Sequence, residues 1–150
     1  MKLAEALLLR AEYQQKIHIL QARIQVNLRV EQDEEPQEDP NALLREACET
    51  NARLRELVKQ INVRNSAAML SDGRTLAEAL VDRDALKKER DVLSSVATSA
   101  MEKDFRLTHT ELKTRITVSV SELQKRADDL SQEYRELDAQ IQAVNWTIEL

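Results

Sequence analysis

Glycine is almost absent from this chain: one residue in 150, beside two prolines. Tight turns draw on both residues, so a sheet protein with many reversals is excluded. Long helices joined by few loops are expected instead. Aromatic residues make up 3% of the sequence. A single cysteine, Cys48, cannot form an internal disulfide, and a chain without disulfides fits a reducing compartment. No apolar run approaches membrane-spanning length. Glu5 and Arg10 interrupt the apolar stretch at the N-terminus, and no small-residue cleavage site follows promptly. Basic excess is also lacking. The net charge is −5 and the isoelectric point about 5.2, which argues against general nucleic-acid binding. A soluble, cytoplasmic chain without stable membrane insertion is the expectation.

What is abundant is helix former and charge. Leu, Ala, Glu, Arg and Gln dominate, charged residues reach 33%, and a hydrophobic content of 42% is enough for a core. Apolar spacing of three and four places residues on one stripe of a helix. Such stripes predict four helices. The first spans about Lys2–Val30, with Leu3, Ala6, Tyr13, Ile17, Leu20 and Ile24. The second starts at Pro40 behind an Asp39 cap and ends near Leu70, with Leu44, Ala47, Leu54, Val58, Ile61 and Ala68. The third starts at Thr75, whose capping box with Glu78 satisfies free backbone N–H groups. Its stripe of Leu76, Leu80, Leu86, Leu93, Ala97 and Ala100 is interrupted by Arg83 and Arg90. The fourth follows a second capping box, Ser119 with Glu122. Its seam of Leu123, Ala127, Leu130, Tyr134, Leu137, Ile141 and Val144 is unbroken, as in coiled coils.

Two connections stand out. Glu31–Asp39 holds six acids in nine residues, has no apolar anchor, and reads as an exposed, mobile loop. Residues 106–120 include Leu112, Thr114, Ile116, Val118 and Val120 alternating with polar residues, the period of a strand. A lone strand must pair, either as a hairpin with Arg106–His109 or with another copy. The expected architecture is therefore all-α: one domain, residues 1–150, forming an antiparallel four-helix bundle of long helices with a short β segment between helices 3 and 4.

Candidate chemistry is sparse. Di-iron bundles use Glu-x-x-His on facing helices, but Gln15 and Arg106 stand three residues before His18 and His109. Glu46-x-x-Glu49 and Glu133-x-x-Glu136 share one spacing with helical nucleotide pyrophosphohydrolases, without the Glu-x-x-Asp that should follow. Charged helices also generate that spacing as solvated faces. Cys48 beside Ala47 reads as a small packing residue rather than a nucleophile. The acidic loop lacks the D-x-D-x-D-G spacing that wraps calcium. Lys103–Arg126 carries six basic against three acidic residues, a local charge of +3. That segment could meet an acidic partner, including the Glu31–Asp39 loop of another copy, or simply protect a strand edge. Asn27, Asn51 and Asn65 lie on helical stripes, where a buried Asn fixes register and an edge Asn merely reaches water. No catalytic, cofactor-binding or metal-binding residue emerges, and no cofactor is expected.

Several segments together carry a resemblance. They are Met1-Lys2-Leu3-Ala4-Glu5-Ala6-Leu7, the run Asp72-Gly73-Arg74-Thr75-Leu76-Ala77-Glu78-Ala79-Leu80, then Ala127-Asp128-Asp129-Leu130 with Glu133-Tyr134-Arg135-Glu136-Leu137-Asp138, and Asn145-Trp146. In this order the chain resembles the septicolysin-like family of small bacterial proteins of uncharacterised function. The likeness covers nearly the whole chain and is most specific in the second and third segments. It implies a bacterial helical protein and supplies no catalytic residues. The family name suggests a cytolysin, but the 112–120 alternation is shorter than a membrane-spanning hairpin requires. The expectation is a non-catalytic structural or interaction module that forms a homo-oligomer through helix seams, the 112–120 strand, or both. The alternatives are a metal- or nucleotide-dependent helical enzyme and a membrane-active cytolysin.

Overall fold

The computed structural model describes residues 1–102 and 113–150. The described residues contain four helices: α1 (Leu3–Val26), α2 (Pro40–Ala67), α3 (Leu76–Met101) and α4 (Val120–Thr147). The all-helical class predicted from composition is observed. The chain divides into two compact units. One comprises Met1–Met69 and Gln142–Leu150, the other Leu70–Ile141.

In the first unit α1 and α2 form an antiparallel hairpin. Lys16 pairs with Glu46 at 2.7 Å and Arg23 with Glu38, so positions advancing along α1 meet positions receding along α2. Each end has a chemical cause. Asp39 accepts the Asn41 N–H at 2.9 Å and Pro40 occupies the first turn of α2, where its missing donor is not needed. Helix α1 stops earlier than its apolar pattern suggested, at Val26, because Asn27 caps it. The buried face of α1 carries Leu3, Ala6 and Leu20, with Ile17 and Ile24 half-buried. On α2 the buried line is Leu43, Thr50, Leu57, Ile61 and Ala68, one residue away from the expected Leu44, which is 53% exposed. The two chain ends also meet: Leu3 N–H donates to the Ile148 carbonyl and Leu150 N–H to that of Met1, both at 2.9 Å.

In the second unit α3 and α4 are antiparallel. Arg83 reaches Asp138, Arg126 reaches Glu89 at 3.5 Å, and the Arg90 guanidinium lies 5.9 Å from the Tyr134 ring centroid. The turn before α3 uses the sole glycine, Gly73, at φ 88°, a left-handed geometry that favours glycine. The expected capping box forms: the Thr75 hydroxyl accepts the Glu78 N–H at 3.2 Å, and Glu78 accepts the Thr75 N–H at 2.8 Å. On α4 the predicted seam is buried at Ala127, Leu130, Leu137 and Ile141.

The short β segment is corrected in part. Residues 106–112 lie outside the described residues. Lys113–Ser119 forms no strand, and Val120 belongs to α4. Alternation gives a segment strand propensity, but a strand exists only where a neighbouring strand supplies its hydrogen bonds, and none does so among the described residues. The Glu122 N–H instead meets the Ser119 hydroxyl at 3.4 Å, opening the helix. Among the described residues the β pairing is limited to an isolated antiparallel bridge, Lys2 with Glu149.

Candidate interaction surface

The residues singled out for catalysis do not converge. His18 is exposed on α1 and Cys48 is exposed on α2. His109 lies outside the described residues. Glu46 is occupied by Lys16, whose hydrogen bond lowers the Glu46 pKa below the usual carboxylate range, and Glu49 faces solvent. Glu133 and Glu136 are exposed on α4; Glu136 accepts a hydrogen bond from Gln132 at 2.9 Å, and Glu133 lies 3.9 Å from Arg126. Glu46 thus serves an ion pair between α1 and α2, and Glu133 and Glu136 serve local pairs on the solvated face of α4. Among the described residues no group of three or more His, Cys, Asp or Glu side chains is arranged to hold a metal ion. Among them, too, no helix is long and apolar enough to cross a membrane.

The three asparagines separate. Asn51 is exposed and Asn65 half-buried. Asn27 is 7% exposed and does two jobs. Its amide donates to the Arg23 carbonyl at 2.9 Å, and its side-chain oxygen accepts the Glu38 N–H at 3.2 Å. The acidic loop therefore finds a polar anchor where no apolar one was available. Arg23 bonds the Glu38 carboxylate as well, and that hydrogen bond depresses the Glu38 pKa. Asn27→Ala removes both side-chain bonds and should cost about 1–2 kcal/mol. A lower urea midpoint, with faster amide exchange at the end of α1 and at Glu38, is the expected result.

Sequence reasoning missed two features. The first is the pairing at the chain ends. Glu149 accepts from Lys2 Nζ at 2.5 Å and from the Met1 amine at 2.9 Å, and its pKa is held down to about 2, mainly by the Lys2 hydrogen bond. Nothing in the local pattern connects residues so far apart. The second is the outer surface of the helices. On α1, Leu8, Ile19 and Val26 are 60%, 46% and 77% exposed. On α3, Val81, Val92 and Val96 are 69%, 56% and 41% exposed. Each set falls on one side of its helix, opposite the buried stripe. The signal was present, since these valines recur at helical spacing, but the buried stripes drew the pattern first. Scattered single apolar residues on a surface are ordinary; on α1 Glu12 and Gln15 stand between Leu8 and Ile19, and on α3 Ala85 and Lys88 stand between Val81 and Val92, so each set is interrupted.

A family model described as "Family of unknown function (DUF6847)" matches residues 10–150. The chain is also similar to a solved structure described as a functionally unknown conserved protein from Corynebacterium diphtheriae. The two are 39% identical with a TM-score of 0.93, over 100% of this chain and 98% of that one. No curated protein matches.

Proposed function

We propose that this chain, which belongs to the family of unknown function DUF6847, is a non-catalytic helical module that associates with further copies of itself. The supporting observation is the set of large apolar residues left exposed on α1 (Leu8, Ile19 and Val26) and on α3 (Val81, Val92 and Val96), on the side opposite each helix's buried face. Helices that bury one stripe inside a hairpin and keep another apolar stripe in water lose hydrophobic free energy that a second copy restores. The scattered placement of His18, Cys48 and the paired glutamates supports the non-catalytic part. The lone cysteine supports a cytoplasmic setting. The septicolysin-like resemblance belongs to the same proposal, as a relationship among bacterial helical proteins without the lytic activity the name suggests.

Light scattering coupled to size-exclusion chromatography tests this reading. The expected mass at micromolar concentrations is a multiple of 17.2 kDa; a clean monomer would remove the basis of the proposal. The Lys113–Ser119 segment gives a second route, because Ile116 and Val118 are 59% and 43% exposed in a stretch with strand-forming alternation. If copies join there, Ile116→Lys reduces the oligomer mass; an unchanged mass assigns association to the helices.

A further inference from the structure

We infer that the groove where α1 runs out into the acidic loop receives the Lys113–Ser119 segment of a second copy. This rests on the self-association reading and names the surface that takes that segment.

The groove follows from how α1 ends. Asn27 stops the helix, and Leu28–Val30 continue in irregular backbone. Val26, Leu28 and Val30 are left 77%, 62% and 46% exposed. Val26, Val30 and Pro36 form the apolar part of the groove, and Glu31, Glu34 and Glu35 its acidic part, with Arg29 beside them. The loop is held in shape at both ends. The Glu34 N–H donates to the Glu31 carbonyl at 3.0 Å. Further on, the Glu38 N–H donates to Asn27, its carboxylate accepts from Arg23, and Asp39 caps α2. Glu38 and Asp39 are therefore engaged within the hairpin, whereas Glu31, Asp33, Glu34 and Glu35 stand exposed.

An occupant of this groove must bring apolar side chains and positive charge on one short stretch. Lys113–Ser119 does so, and every residue of it is exposed. Laid out extended, such a segment points successive side chains to opposite sides. Lys113 and Arg115 then fall on one side, and Ile116 and Val118, 59% and 43% exposed, on the other. The apolar side suits Val26, Val30 and Pro36, and the basic side suits Glu31, Glu34 and Glu35. The charges are segregated: no acidic residue occurs in 113–121 and no basic residue in 31–39. Loop against loop, or segment against segment, would set like charges together. The complementary contact is therefore loop to segment, whether two copies exchange segments or each copy engages the next. A contact this short lies at the low end of specific interface size, so it should weaken on dilution and in high salt.

Charge reversal on one side of the contact, then on opposite sides in two molecules, tests it. One variant carries Glu34→Lys with Glu35→Lys, the other Lys113→Glu with Arg115→Glu. All four residues are exposed, and an unchanged circular dichroism spectrum checks folding. Each variant alone sets like charges across the contact and should raise the dissociation constant of self-association roughly tenfold or more, read by light scattering at low salt. An equimolar mixture of the two should associate again, because each loop then meets an oppositely charged segment on the other molecule. The neutral versions, Glu34→Gln with Glu35→Gln and Lys113→Gln with Arg115→Gln, should weaken association in the same direction by less. If the native chain has a multiple of the monomer mass and every variant keeps it, this groove is wrong while self-association stands. Loss in both reversed variants without recovery in their mixture would overturn the pairing of this loop with this segment. A native monomer overturns both readings.

Discussion

Leu130→Ala should lower the unfolding free energy by about 2–5 kcal/mol, and Val81→Ala should change it by no more than about 0.5 kcal/mol. The two positions are both apolar and both helical. They differ in surroundings: Leu130 is 0% exposed and Val81 is 69% exposed. Leu130 sits midway along the α4 seam, between buried Ala127 and Leu137. Removing its isobutyl group forfeits its transfer free energy and leaves a void that two stiff antiparallel helices cannot close. The chain has no internal disulfide to compensate. A loss of this size is a large fraction of the stability of a small protein. Urea denaturation at one fixed protein concentration measures it. The midpoint should fall for Leu130→Ala at an unchanged slope. A midpoint equal to that of the native chain would mean that Leu130 is not packed as described.

Arg83→Ala should cost about 1–3 kcal/mol, despite lying where an apolar residue would continue the stripe. Arg83 donates to Asp138 at 2.9 Å and to Asp84 at 3.0 Å, with 23% of its side chain exposed. Burial pulls its pKa down, but the bond to Asp138 and that to Asp84 outweigh it, and the net shift is upward. The pair crosses from α3 to α4. Deleting the guanidinium leaves Asp138, 32% exposed by side chain, without its partner across the hairpin. Removing one member of a partly buried pair therefore hurts more than removing both, because the survivor keeps its desolvation penalty. Arg83→Leu combined with Asp138→Leu should recover most of the loss. A double-mutant cycle with a coupling near zero would show that the pair contributes nothing to α3–α4 packing.

The same arginine marks the boundary of what the amino-acid pattern reveals. Apolar periodicity identified all four helices and the α4 seam, of which Ala127, Leu130, Leu137 and Ile141 are buried, and the capping residues Asp39, Thr75 and Ser119 marked three helix starts. Those features depend on local spacing. Arg83 and Arg90 were read as interruptions of α3, since a guanidinium on an apolar line looks misplaced. In the structure one meets Asp138 and the other lies over Tyr134, so both belong to the seam through residues far along the chain. The one-residue slip on α2 has a similar origin. Leu43 and Leu44 fit a stripe equally well, and the choice falls to Thr50, which is 4% exposed and satisfies its hydroxyl on the Glu46 carbonyl at 2.8 Å. A polar residue that spends its hydrogen bond inside its own helix can line a core, yet a hydropathy pattern counts it against burial.

Lys113–Ser119, the described part of the expected β segment, forms no strand for the converse reason. Ile116 and Val118 have the composition of a strand, but no strand pairs with them among the described residues. Asn27 shows a further limit. Its place on the α1 stripe was legible, whereas its bond to Glu38 depends on how the acidic loop returns. The exposed valines of α3 stand out only once the buried stripes are fixed, by contrast with them.

Sedimentation equilibrium over a wide concentration range tests the self-association claim most directly, with the native chain beside Val92→Glu. The native weight-average mass should rise with concentration from 17.2 kDa toward a multiple of it, and the Val92→Glu curve should lag behind at every concentration. A native mass that stays at 17.2 kDa throughout would contradict the account.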